Sequence, residues 1–104
     1  MKVEVLYIEG CPNHRPAVDL VTSALEERGL SSAVIEVPID SVEQAESLAF
    51  PGSPTIRING VDVEPAVETL SEFSFSCRTY AEHGKLSGIP SEKLIRQAIH
   101  RALE

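Results

Sequence analysis

Val3-Glu4-Val5-Leu6-Tyr7-Ile8-Glu9-Gly10-Cys11-Pro12-Asn13-His14 is the stretch on which the reading of this chain turns. Val3 to Ile8 is rich in β-branched and large apolar residues, and its near-continuous apolar character predicts a central strand covered on both faces. Glu9-Gly10 breaks the strand. Pro12 then opens a predicted helix running to Arg28. Ala17, Val18, Val21, Ala24 and Leu25 form its buried stripe, and Gly29 is its stop. Proline is favoured at the first helical position, which predicts Cys11 at or beside the N-cap. Unpaired amide hydrogens and the positive end of the helix dipole there favour thiolate over thiol. A thiolate attacks disulfides and binds soft metals. The bland alternative is a small buried residue at a strand end.

Working outward, Val34-Ile35-Glu36-Val37 marks a second strand within 32–38. Residues 41–50 read as a second helix, with Val42, Ala45, Leu48 and Ala49 as its apolar stripe and Ser41 or Asp40 as its cap. Phe50-Pro51-Gly52-Ser53-Pro54 is a loop set by its prolines and glycine. Thr55 to Ile58 is a third strand, Asn59-Gly60 predicts a type I′ turn, and Val61 to Val63 is the returning strand. Residues 64–88 carry only weak periodicity. That is long for a loop in a compact domain, so a short helix or a functional lid is expected there. Pro90-Ser91-Glu92-Lys93 opens a last helix, with Leu94, Ile95, Ala98, Ile99, Ala102 and Leu103 on its core face.

The order is therefore β-α-β-α-β-β-α, an α/β chain. The first β-α-β predicts a parallel pair with a right-handed crossover, and the Asn-Gly hairpin predicts an antiparallel pair. Together they predict a mixed four-stranded sheet with helices on its faces, in one domain over residues 1–104.

Composition bounds the function. Of 104 residues, 42% are apolar and none is Trp, so aliphatic side chains must build the core. Sixteen acidic against nine basic residues give a net charge of −7, and the basic residues are scattered. That argues against nucleic acid, whose phosphates call for clustered Lys and Arg. No stretch approaches the roughly 20 apolar residues of a membrane span, and no targeting segment is visible. The expected setting is the cytoplasm. In that setting the two cysteines, Cys11 and Cys77, are read as reactive or metal-contacting groups rather than a structural staple.

His14 stands three residues after Cys11, a helical spacing that brings its ring toward the thiol, where it can stabilise the thiolate or shuttle a proton. A solvated first-turn histidine is the alternative. Arg15 offers a second positive charge. Pro16 fits a helix only if the helix is kinked there or its regular part begins later. Pro54, just before a strand, needs a special geometry. A cis bond at Ser53–Pro54 would turn the backbone groups of Ser53 outward, and local sequence leaves cis or trans open. Cys77, in Ser76-Cys77-Arg78-Thr79-Tyr80, can be a distant resolving thiol, a second thiolate for Hg(II), Cu(I) or Zn(II), or an unpaired structural cysteine. Arg78 lowers the Cys77 thiol or is a surface charge. His83 and His100 lack partners at metal spacing, and Tyr7 and Tyr80 read as core or rim residues.

Strand, Gly-Cys-Pro-Asn-His, helix, strand, helix and then Ser-Pro-Thr opening a hairpin resembles the thioredoxin-like superfamily, near its small glutaredoxin-type members. The resemblance implies a thioredoxin-like fold. It implies that Cys11 is the attacking cysteine, that Pro54 is the cis-proline facing it, and that the Ser53 backbone pairs with a bound substrate strand. Pro12, Ser53, Pro54 and Thr55 are then the substrate-binding positions, and Cys11, His14 and Cys77 the catalytic ones. His14 stands where the family has its resolving cysteine, so reduction of a disulfide by two thiols within the motif is impossible. The run Phe-Pro-Gly-Ser-Pro-Thr-Ile-Arg-Ile-Asn-Gly-Val-Asp-Val-Glu-Pro, with Ser-Cys-Arg-Thr-Tyr after it, is similar to small bacterial thioredoxin-like proteins sometimes labelled alkylmercury lyase-like.

Three functions follow as expectations. The first is a thiol–disulfide oxidoreductase acting on a protein or small-molecule disulfide. It needs no resident cofactor, and Cys77 or glutathione as co-substrate resolves it. The second is a soft-metal or organomercurial carrier using Cys11 and Cys77. The third is an interaction module without turnover.

Overall fold

A computed structural model describes residues 1–31, 33–64 and 73–104. The elements run β1 (Val3–Tyr7), α1 (His14–Glu27), β2 (Val34–Pro38), α2 (Val42–Ser47), β3 (Thr55–Ile58), β4 (Val61–Asp62), β5 (Tyr80–Glu82), β6 (Lys85–Ser87) and α3 (Glu92–Leu103).

The four-stranded sheet has the order β2-β1-β3-β4. β1 pairs parallel to β2, with Val5 opposite Glu36, and antiparallel to β3, with Val5 opposite Ile56. β3 and β4 close through Asn59 and Gly60, whose φ values of 54° and 82° are the left-handed pair a type I′ turn demands. The expected mixed sheet with β1 at its centre is present.

Side-chain alternation along β1 splits the core into two layers. Val3 and Val5 join Ile56, Ile58 and Val63 beneath α1 and α3, which contribute Val18, Val21, Leu25, Ile95 and Ile99. Leu6 points the other way and packs with Ile39, Ala45 and Phe50. Each such aliphatic side chain, fully buried, contributes about 1.5–3 kcal/mol, which explains how a chain without Trp holds together.

Four expectations change. The first helix begins at His14, not Pro12, and its N-cap is Asn13, which makes no side-chain capping bond. Two successive turns precede it: the Cys11 amide donates to the Ile8 carbonyl at 3.0 Å, and the His14 amide donates to the Cys11 carbonyl at 3.2 Å. Pro16 thereby falls at the third helical position, where an amide hydrogen has no partner in the helix and none is missed. The regular part begins later, and no kink is needed.

The second helix ends at Ser47 rather than Phe50, and of its predicted stripe only Ala45 is buried; Val42, Leu48 and Ala49 are exposed. Ala49 takes a left-handed φ of 49°. Its amide donates to the Glu46 carbonyl and that of Phe50 to the Ala45 carbonyl, a Schellman closure that turns Phe50 into the core. Gly29 closes α1 in the same way, as expected, through the amides of Gly29 and Leu30.

Within 64–88 the described residues contain no helix. They hold a second, two-stranded sheet, β5 and β6, turned by His83 and Gly84 at φ 52° and 76°. Histidine is not a usual turn signal, so the hairpin left no mark in the pattern. Residues 65–72 lie outside the described residues.

Arg78 is the fourth correction. It is a buried charge, not a surface one, with 6% of its surface exposed.

Candidate functional site

Cys11 lies half-buried in the turn after β1, two residues before the Asn13 cap. It is not the helix N-cap, because its amide and carbonyl are spent on the turns at 8–11 and 11–14. No hydrogen bond reaches its sulfur among the described residues. Cys77 is exposed and also free.

Ser53 links the two cysteine segments. Its hydroxyl accepts from the Ile8 amide at 3.0 Å, tying it to the turn that carries Cys11. Its own amide donates to the Ser76 carbonyl at 2.8 Å, and its carbonyl accepts from the Arg78 amide at 2.9 Å, so Ser53 and Cys77 face each other as a parallel bridge. The backbone groups that the resemblance offers to a substrate strand are thus occupied by the chain itself. The Ser53–Pro54 bond is cis. Thr55 is buried, and its hydroxyl donates to the Gly52 carbonyl. Pro12 is exposed.

The segment around Cys77 is anchored by Arg78. Its guanidinium donates to both carboxylate oxygens of Asp62, at 2.8 and 2.9 Å. It also donates to Thr55 Oγ1 at 3.1 Å and to Glu64 at 3.2 Å. It lies 4.1 Å from the centroid of the Tyr80 ring. The Tyr80 hydroxyl donates to the Pro54 carbonyl at 2.7 Å. Burial lowers the basicity of a guanidinium, but the Asp62, Glu64 and Tyr80 groups around Arg78 outweigh it and hold the charge firmly in place. Burial pushes the Tyr80 phenol well above its ordinary value, against the pull of the Arg78 charge. Bidentate geometry of this kind is what a buried Arg–carboxylate pair requires.

His14 does not turn to Cys11. Its Nε2 donates to Glu36 Oε1 at 2.6 Å, and its ring stacks on Tyr7 with centroids 3.6 Å apart and planes 5° from parallel. A carboxylate only accepts, so the proton sits on Nε2 and Nδ1 is the remaining ring nitrogen. Arg15 joins the same carboxylate at 3.6 Å. A histidine that is set by a strand residue and an aromatic plane is oriented, not merely solvated.

Sequence reasoning missed Glu36, Asp62 and the structural part of Arg78. Glu36 carried a faint signal as a lone acid within an apolar strand. Asp62 and Arg78 stand 16 residues apart, and nothing local couples them. His83 is exposed, and His100 pairs with Glu104 at 3.5 Å. Among the described residues, no three His, Cys, Asp or Glu side chains converge as a metal set, and no helix is long and apolar enough to cross a membrane. Compared with protein-family models, curated proteins and solved structures, the chain matches none.

Proposed function

We propose that the chain is a thioredoxin-like thiol protein that reduces disulfides, with Cys11 as nucleophile and Cys77 as the thiol that resolves the mixed disulfide. One observation carries the reading: Ser53 ties the turn bearing Cys11 to the segment bearing Cys77, and both thiols are free and reach the surface. The β2-β1-β3-β4 order, with Cys11 leaving the central strand, supports the same assignment.

The chemistry balances as two exchanges. The Cys11 thiolate attacks a disulfide R–S–S–R′, forms a Cys11–S–S–R bond and releases R′S⁻. The Cys77 thiolate attacks the Cys11 sulfur, closes a Cys11–Cys77 disulfide and releases RS⁻. Two external thiols of the glutathione class reopen that disulfide, and are themselves oxidised to one disulfide. His14 Nε2 is committed to Glu36, so the proton taken up by a departing thiolate is relayed from water through His14 Nδ1. Pairing of a substrate strand with Ser53 requires the Cys77 segment to give up its bridge, because the Ser53 amide and carbonyl are held by Ser76 and Arg78.

The test is turnover of a small mixed disulfide in a glutathione-coupled assay. Cys11→Ser abolishes it, and Cys77→Ser accumulates a mixed disulfide on Cys11 that intact-mass analysis detects. Full turnover in Cys11→Ser would overturn the assignment.

A further inference from the structure

A pocket of about 530 Å³ opens between α1, the β5–β6 hairpin and the start of α3, and neither cysteine lines it. Its size lies within the range of about 300–1,000 Å³ of small-ligand sites. Leu20, Tyr80, Ile89 and Pro90 make an apolar floor. The polar groups come from the hairpin and from the first residues of α3.

The charges on its lip are unequally placed. Both acids are engaged. Glu82 accepts from the Ser91 amide at 2.9 Å and from the Ser91 hydroxyl at 2.5 Å, and Glu92 accepts from Arg96 at 2.9 Å. Ser91 is itself committed, because its Oγ also accepts from the Leu94 amide as the N-cap of α3. Lys85 and His83 line the same lip, both exposed, and neither has an ion pair or a side-chain hydrogen bond among the described residues. The oxygens of Glu82 and Glu92 are engaged by Ser91 and Arg96, and the donors of Lys85 and His83 stay open; Glu82 keeps its charge and stands opposite Lys85 in the β5–β6 register. An apolar floor under unpaired cationic and N–H donors is complementary to a molecule with an apolar body and one anionic end.

We propose that this pocket binds a small apolar monocarboxylate, an aliphatic or aryl acid, with its body on Leu20, Ile89 and Pro90 and its carboxylate at Lys85 and His83. The site shares no lining residue with Cys11 or Cys77 and does not depend on the thiol reading.

The experiment is titration of the ¹⁵N-labelled full chain with octanoate and, separately, with 1-octanol, followed by amide chemical shifts. Octanoate is expected to give saturable shifts centred on Leu20, on residues 82–87 and on Ile89. 1-Octanol should bind more weakly, and Lys85→Gln should weaken octanoate up to about fivefold, the scale of a single solvent-exposed charge pair. Lys85 is an exposed hairpin side chain, so the variant keeps the fold, which the dispersion of its spectrum verifies. Three results overturn the proposal: no saturation by octanoate, shifts centred on another face, or equal binding of 1-octanol and octanoate.

Discussion

Ser53 and Cys77, far apart in sequence, face each other across a parallel bridge in which the Ser53 amide donates to Ser76 and its carbonyl accepts from Arg78. The bridge holds because Arg78 is buried against Asp62, Thr55 and Tyr80 immediately after it. The position of Cys77 therefore rests on a side chain one residue away.

Gly52 makes the approach possible. A Cβ there would stand 2.8 Å from Arg78 Cβ and 3.1 Å from its Cα, and the φ of 137° suits only glycine. Gly52→Ala should lower stability by about 3 kcal/mol in urea unfolding, from overpacking and backbone strain together. A variant as stable as the parent would show that residues 76–78 yield without cost.

Asp62→Ala strips the bidentate partner from a buried guanidinium. Removing one member of a buried pair costs about 3–5 kcal/mol. Glu64 still reaches Arg78 at 3.2 Å, so the loss should fall at the lower end, about 3 kcal/mol. Chemical denaturation of Asp62→Ala beside Asp62→Asn measures it, with the amide variant less destabilised because it retains an acceptor.

Tyr80 sets an alkaline limit. Its phenol is raised in the folded chain by burial, so the unfolded chain loses the proton first. Stability is then complete below the ordinary phenol value of about 10 and falls as pH rises through it, by at most about 1.4 kcal/mol per pH unit. Unfolding midpoints measured between neutral pH and pH 11 should decline over that window. The decline should be shallower in Tyr80→Phe, which has no proton to lose.

Ala49 closes α2 in a left-handed conformation at φ 49°. That conformation costs a residue with a Cβ about 1–2 kcal/mol, and glycine escapes most of it at some cost in unfolded-chain entropy. Ala49→Gly should stabilise the protein by about 0.5–1 kcal/mol, read as a higher urea midpoint with an unchanged slope. A loss of stability would contradict the Schellman closure.

Glu36 orients His14 from β2. It is partly exposed, so Glu36→Ala should change stability by less than about 1 kcal/mol. If His14 delivers the proton to a leaving thiolate, the same variant should slow disulfide turnover by up to about tenfold and alter its pH profile. His14→Gln should show the same altered profile.

The local chemistry of the chain determined much of the fold. The apolar run at Val3–Tyr7 specified a central strand, the period of Ala17 to Leu25 specified the buried face of α1, and Asn59-Gly60 specified its turn, because each is a preference of neighbouring residues for one backbone geometry. The place of Cys11 between β1 and α1 was legible for the same reason. Its exact setting was not: whether the helix starts at Pro12 or His14 depends on which carbonyls the amides of Cys11 and His14 find. His14 was legible as a neighbour of Cys11 but not as a partner of Glu36 and Tyr7. Arg78, Asp62 and the Ser53–Cys77 bridge belong to tertiary structure alone. A buried ion pair between distant residues is stable only where the surrounding core excludes water and supplies the remaining hydrogen bonds, and no local pattern records that environment.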